Sequence, residues 1–305
     1  MKTVGGATGA DVGAINVSVF GASDVGRVRK NNEDNFVVCN LTTGELGLIP
    51  SLVEHRLGAR GTLFLVADGM GGEASGEVAS QLCTVTVPKR LYDNLKTLGT
   101  VSETNFVLLI REAIEFANQI IYQKAQSQPA YRGMGTTTTA VALFGPYLFV
   151  AQVGDSRAYL IRNKGITQLT RDQTFLNYLQ EIGAELPADL EKDSRKSILT
   201  QAVGSSETVD VKVTYTKAHQ GDAILICCDG LYNMVPSAEI LAAVTSGKAL
   251  PDRCKALIDA ANAHGGTDNI TVIIAEFSGP GLPLADPAAS VQFKEFSEED
   301  FAPSA

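Results

Sequence analysis

A mixed α+β fold is expected for this 305-residue chain. Runs of β-branched and aromatic residues occupy both the first quarter of the sequence and its second half. Two long segments with helical spacing separate them, and tight Gly or Asn turns join later runs closely enough for antiparallel pairing. Several runs also stop at or near an aspartate: LFLVA reaches Asp68, LFVAQVG reaches Asp155, AILICC reaches Asp229, and Gly-Thr-Asp268-Asn precedes ITVIIAEF. Neighbouring strands that end this way bring carboxylates to one rim. Such a concentration of negative charge is tolerated only with protons or cations among the carboxylates.

Taken in order, VSVF (17–20), FVVCN (36–40) and TLFLVA (62–67) read as strands separated by Gly and Asn signals. Residues 41–61 mix Gly, Pro and both charge signs and read as a surface excursion. Residues 75–95 carry Val78, Leu82, Val85 and Leu91, while 103–125 places Phe106, Leu109, Ile110, Ala113, Ile114, Ala117, Ile120 and Ile121 on one helical face. From Thr136 to Thr170, turns at Gly145-Pro146 and Asn163-Lys164-Gly165 predict an antiparallel meander. Residues 172–198 are polar and weakly periodic. Strands resume at DVKVTY and AILICC, helices are expected over 237–244 and 252–263, and ITVIIAEF closes the domain. Beyond Ser278, Pro, Gly and acidic residues predict a disordered, solvated tail over 279–305, although Phe293, Phe296 and Phe301 among Glu295, Glu298, Glu299 and Asp300 also suit a docking motif.

Composition narrows the function. The chain is 45% hydrophobic with a formal net charge of -9 and no Lys/Arg cluster, so neither nucleic acid nor anionic membrane is an expected partner. No run is apolar enough to span a bilayer, and the opening residues lack a secretory signal pattern, which together predict a cytoplasmic protein. The five cysteines show no CxxC spacing and read as reduced core thiols. Gly247-Lys248 is followed by Ala249, which rules out a P-loop; GEASG is no G-x-S-x-G elbow; Cys83 is not followed by the arginine of a C-x5-R loop. Carboxylate and oxygen chemistry remains.

Seven phrases occur in order: SDVGRVRKNNEDNF (23–36), LFLVADGMGGEASGEVAS (63–80), GMGTTTTAVAL (133–143), VGDSRAYLI (153–161), LTRDQTF (169–175), CCDGL (227–231) and GGTDNITVIIAEF (265–277). Together they resemble the motifs of the metal-dependent type 2C (PPM) serine/threonine phosphatases in their bacterial form. The resemblance implies a four-layer α-β-β-α sandwich, two central antiparallel sheets flanked by helices, with a catalytic domain over 16–278, an N-terminal extension over 1–15 and a flap near 172–198. It also implies two Mn²⁺ or Mg²⁺ ions per subunit and hydrolysis of phosphoserine and phosphothreonine by direct attack of a metal-bridging hydroxide.

Carried onto this sequence, Asp68 would bridge the two ions and the carbonyl of Gly69 would bind one of them. Asp229 and Asp268 would complete the other ion's shell, and Glu33 and Asp34 would act through metal-bound water. Arg29 would hold the phosphate through a guanidinium fork. Asp155 with Asp229, joined by Ser197, would form a weaker third site. Relatives with DGHGG have a histidine suited to protonating the leaving alkoxide, whereas this chain has Met70, whose thioether cannot donate a proton.

Each residue has a plainer alternative. Asp-Gly and Asp-Asn are ordinary turn formers, Gly-Asp-Ser-Arg reads as a hairpin turn, Arg29 sits beside Arg27 and Lys30, Ser197 suits a local backbone bond, and Thr136–Thr139 suit a strand. The expected protein is a monomeric phosphoprotein phosphatase working opposite a Ser/Thr kinase on that kinase's substrates. A pseudophosphatase that only binds phosphoproteins, and a phosphatase of small molecules, are the competing readings.

Overall fold

The computed structural model describes residues 13–47, 53–71, 75–184 and 197–301. Fourteen strands are present in the described chain: β1 Asn16–Asp24, β2 Asp34–Asn40, β3 Glu45–Gly47, β4 Val53–Arg56, β5 Thr62–Met70, β6 Gly135–Thr136, β7 Thr138–Phe144, β8 Tyr147–Val153, β9 Arg157–Arg162, β10 Gly165–Gln168, β11 Lys212–Lys217, β12 Ala223–Cys227, β13 Ile270–Ser278 and β14 Lys294–Glu295. The α-helices are α1 Ser75–Thr97, α2 Glu103–Ser127, α3 Phe175–Glu181, α4 Asp229–Tyr232, α5 Ser237–Val244 and α6 Leu250–Ala263. One sheet runs β10-β9-β12-β13-β1-β4 and the other β14-β11-β8-β7-β5-β2-β3, with β6 paired to β5; every pairing is antiparallel.

Side-chain alternation explains why the strands read as unbroken apolar runs. In β5, Phe64 and Val66 face the partner sheet and share its core with Phe277 and Ile273, while Leu63, Leu65 and Ala67 face the helices. Both faces are buried, so neither needs polar residues. Three cores result: one between the sheets, one under α1 and α2, and one under α5 and α6 that includes Leu225, Cys227, Leu257, Ile270, Val272 and Ile274. These are the four layers the resemblance implied. The helix faces follow the expected spacing, with Phe106, Ile110, Ala113, Ile114, Ala117 and Ile121 buried and Ser102 capping α2 by accepting from the Asn105 amide.

Several expectations change. The segment predicted as a meander is divided between sheets: β7 and β8 belong to one, β9 and β10 to the other. Gly154, at φ +97°, turns the chain across the sandwich, so the Asp155 turn is a crossover and not a hairpin. Residues 41–61 contain β3 and β4. Within 172–198, α3 is a short helix capped by Thr174, and 185–196 lie outside the described residues. The same holds for 1–12 of the N-terminal extension, while Ile15 enters the inter-sheet core.

Residues 279–301 depart from the expectation of a solvated tail. β14 pairs with β11 at the sheet edge; Phe296 is buried beside Tyr215, and the partly buried Phe301 packs on Tyr147, Phe149 and Tyr215. Composition alone hides this, because two aromatic anchors suffice to hold an otherwise polar segment. Phe296→Ala should cost about 3 kcal/mol of stability, read from denaturant midpoints at unchanged slope. A midpoint equal to wild type would show that the segment is not anchored there.

Candidate active site

The antiparallel order brings distant parts of the sequence to one end of the sandwich. Asp68 lies in β5 directly opposite Asp34 at the start of β2. Asp155 lies between β8 and β9, Asp229 opens α4 just after β12, and Asp268 precedes β13, which pairs with β12. Strands that run in opposite directions necessarily pair the end of one with the beginning of the next. A cleft of about 290 Å³ results, lined by Arg29, Glu33, Asp68, Gly69, Met70, Asp155, Ser197, Asp229 and Asp268 among others. Asp34, only 6% exposed, lies beneath it. Larger clefts, of about 520 and 640 Å³, lie against β11 and the C-terminal segment, but neither collects such a group of carboxylates.

Backbone contacts hold this rim in place. Asn269 is the hub: its side chain accepts from the Glu33 amide at 2.8 Å and donates to the carbonyls of Val25 and Asn31 at 3.0 and 2.9 Å, tying the loop before β2 to the loop before β13. The Asp68 amide donates to Thr137 Oγ1 at 2.9 Å, and Thr136 Oγ1 donates to the Asp68 carbonyl at 2.9 Å. Thr137 Oγ1 also shares a hydrogen bond with Ser156 Oγ at 2.8 Å, linking Asp68 to the Asp155 crossover. The threonines are therefore braces. Two close approaches demand glycine: a Cβ on Gly69 would lie 2.2 Å from the Gly76 carbonyl oxygen, and one on Gly230 would lie 1.9 Å from that of Asn269.

Burial sets the electrostatics. It pushes the carboxyls of Asp34 and Asp155 up to about 7, and that of Asp229 to about 6 with help from Asp268; Asp68 is raised well above its ordinary value by burial and then by Asp34 and Asp229. Burial raises Glu33 as well. Arg29 provides the counterweight: Nη2 donates to Asp268 Oδ2 at 2.7 Å, which raises the guanidinium pKa. Asp34 Oδ2 accepts from Thr271 Oγ1 at 2.7 Å, and Asp229 Oδ2 accepts from the Asn233 side-chain amide at 3.2 Å. The second oxygen of each is buried and has no hydrogen-bond partner. Two orphaned carboxylate oxygens in an all-oxygen rim fit hard divalent cations such as Mg²⁺ or Mn²⁺.

The structure thus brings Arg29, Glu33, Asp34, Asp68, Gly69, Asp155, Ser197, Asp229 and Asp268 together. Sequence reasoning missed Asn269 and the bracing of Asp68 by Thr136 and Thr137. The only signal for Asn269 was its place in the phrase GGTDN, because its partners lie more than two hundred positions away.

An oxygen-rich rim with an arginine on its lip, at one end of a double sheet, is the arrangement of a metal-dependent hydrolase. A protein phosphatase 2C model matches residues 53–261. The serine/threonine phosphatase stp of Listeria monocytogenes is 33% identical over 83% of this chain and 93% of its own length. A Streptococcus agalactiae serine/threonine phosphatase structure superposes with a TM-score of 0.72 at 31% identity, covering 85% of this chain and 99% of that one. The catalytic domain of the phosphatase PstP, solved with two manganese ions, gives 0.67 at 30% identity over 87% of this chain and all of that one. The chain belongs to the protein phosphatase 2C family, the metal-dependent serine/threonine phosphatases of PPM type, in its bacterial form.

Proposed function

We propose that this protein removes phosphate from phosphoserine and phosphothreonine in proteins, using Mn²⁺ or Mg²⁺ and direct attack by water. The observation that carries the reading is the convergence of Asp68, Asp229 and Asp268 with Arg29 on one cleft drawn from both sheets. Asp68 would hold both ions, with the Gly69 carbonyl on one and Asp229 and Asp268 on the other; Glu33 and Asp34 would act through water. Asp155, with Asp229 and Ser197, would take a weaker third ion. When bound, the cations supply charge neutralisation to the phosphate dianion and acidify water. Arg29 orients the phosphate through paired N–H donors, and Asp268 positions the guanidinium beforehand. Met70 lines the cleft but has no proton to give, so the leaving alkoxide takes its proton from water or another side chain.

A phosphocysteine intermediate does not fit. All five thiols are buried, and burial pushes those of Cys39, Cys83 and Cys254 up to about 12. Free thiols suit a reducing compartment such as the cytoplasm. Among the described residues no helix is long and apolar enough to cross a membrane. Phosphoproteins made by a Ser/Thr kinase are the proposed substrates of a monomeric enzyme. Turnover of p-nitrophenyl phosphate with Mn²⁺, abolished by EDTA and restored by added Mn²⁺, is the expected result. Failure to turn over with either Mn²⁺ or Mg²⁺ would leave a binding protein and sink the reading. Phosphopeptide hydrolysis then separates a protein phosphatase from one acting on small molecules.

A further inference from the structure

The residue before Asp229 is Cys228, fully buried at the base of the carboxylate rim. Its Sγ and one carboxylate oxygen each from Asp34 and Asp68 all lie within 4.8 Å of one another, the one such grouping of three metal-ligating side chains among the described residues. Asp34, only 6% exposed, has its Oδ1 without a hydrogen-bond partner. The Thr271 amide donates to Cys228 Sγ at 3.0 Å, the kind of contact that supports negative charge on sulfur. Sγ also donates to the Asn269 carbonyl at 3.2 Å and pairs with the Asp34 carboxylate, and burial with Asp34, Asp68 and Asp229 nearby raises the thiol well above its ordinary pKa, as expected of a group that ionises there only with a cation bound. Sulfur thus sits among oxygens where hard cations would need only oxygen.

We propose that Cys228 makes the base of the rim thiophilic, so that Cys228, Asp34 and Asp68 together bind a borderline or soft divalent cation such as Zn²⁺ or Cd²⁺. Thiolate selects these ions over Mg²⁺ and Mn²⁺. On binding, the S–H bond breaks, its proton passes to the buffer, and the sulfur electron pair forms the bond to the cation. The hydrogen bonds that the thiol proton makes to the Asn269 carbonyl and the Asp34 carboxylate are lost, and the Thr271 contact is kept. Because Asp68 is also assigned to the hard cations, the two kinds of ion exclude each other there; in that one respect the inference rests on the proposed function.

The test uses the full chain freed of metal with EDTA and then loaded with Zn²⁺. X-ray absorption at the zinc edge should show a sulfur neighbour at about 2.3 Å. A shell of oxygen and nitrogen alone would overturn the proposal. Cd²⁺ should likewise produce a thiolate charge-transfer band in the wild type that is missing in Cys228→Ser, and zinc affinity should fall at least about tenfold in that variant while Mn²⁺ affinity changes little. A band of equal size in the variant would place the ion on another thiol and refute the assignment. Should Cys228→Ser fail to fold, Cys228→Ala takes its place, and a sulfur-free zinc shell in the wild type overturns the proposal without any variant. The outcomes are separable: Mn²⁺-dependent turnover with a sulfur-free zinc shell sinks this inference alone, and a zinc–sulfur bond in a protein without turnover sinks the proposed function alone.

Discussion

Asp68→Asn should reduce kcat/KM on p-nitrophenyl phosphate by roughly a thousandfold or more, about 4 kcal/mol of transition-state stabilisation. Asn keeps the shape of the side chain but cannot give both cations a charged oxygen. The backbone braces from Thr136 and Thr137 do not involve the carboxylate, so the fold should persist. The half-buried Asp68 carboxyl is held above its ordinary pKa by burial and by Asp34, so replacing it with a neutral amide should leave the metal-free variant at least as stable as wild type. The increase in melting temperature that Mn²⁺ gives the wild type should be largely lost. Activity near wild type would refute the assignment of Asp68 to both ions, whereas loss of activity with loss of fold would show a structural role.

Without cations, the protein should gain stability as pH falls from about 8 to about 5. Asp34 and Asp155 are raised from 3.8 to about 7 and Asp229 to about 6, so the folded state binds protons that the unfolded state releases. For a carboxyl raised in this way the destabilisation is fully present above its folded value. It fades as pH drops through that value and is gone below the unfolded one. One group shifted from 3.8 to about 7 accounts for about 4 kcal/mol in all, of which about 3 kcal/mol falls between pH 8 and pH 5. The effects of the three do not simply add, because each is part of the others' surroundings. Saturating Mn²⁺ should flatten or reverse the trend, since the cation then takes the place of the protons. Melting curves over this range, with EDTA and with Mn²⁺, provide the check; stability that rises with pH under EDTA would contradict the burial of these carboxyls.

Much of the architecture was legible because the local signals were strong. Phe64 and Val66 alternate with Leu63 and Leu65, and burial on both faces makes β5 a single apolar phrase. The spacing from Phe106 to Ile121 could only be a helix with one buried face. Which sheet a strand joins is not encoded locally, and for that reason the turn at Asp155 looked like a hairpin. The polar braces were hidden for a similar reason: Asn269 acts by hydrogen bonds to backbone atoms across the whole domain, which leave no periodic mark. The rim carboxylates were visible as strand-end aspartates; their convergence needed the pairing of β2 with β5 and of β12 with β13. The C-terminal segment departs from its composition because a few residues, Leu282, Phe296 and Phe301, together with the pairing of β14, hold an otherwise polar stretch.

The inter-sheet core also has a bearing on chemistry. Asp68 stands on one sheet, and Asp229 and Asp268 flank β12 and β13 of the other, so the spacing of these carboxylates depends on what fills the gap. Phe64, four positions before Asp68, meets Phe277 of β13 with ring centroids 6.2 Å apart. These side chains act as a spacer, as the shim between two plates sets the width of a slot. Changes in their volume, away from the cleft itself, would alter the distance between the carboxylates that the two sheets carry to its rim.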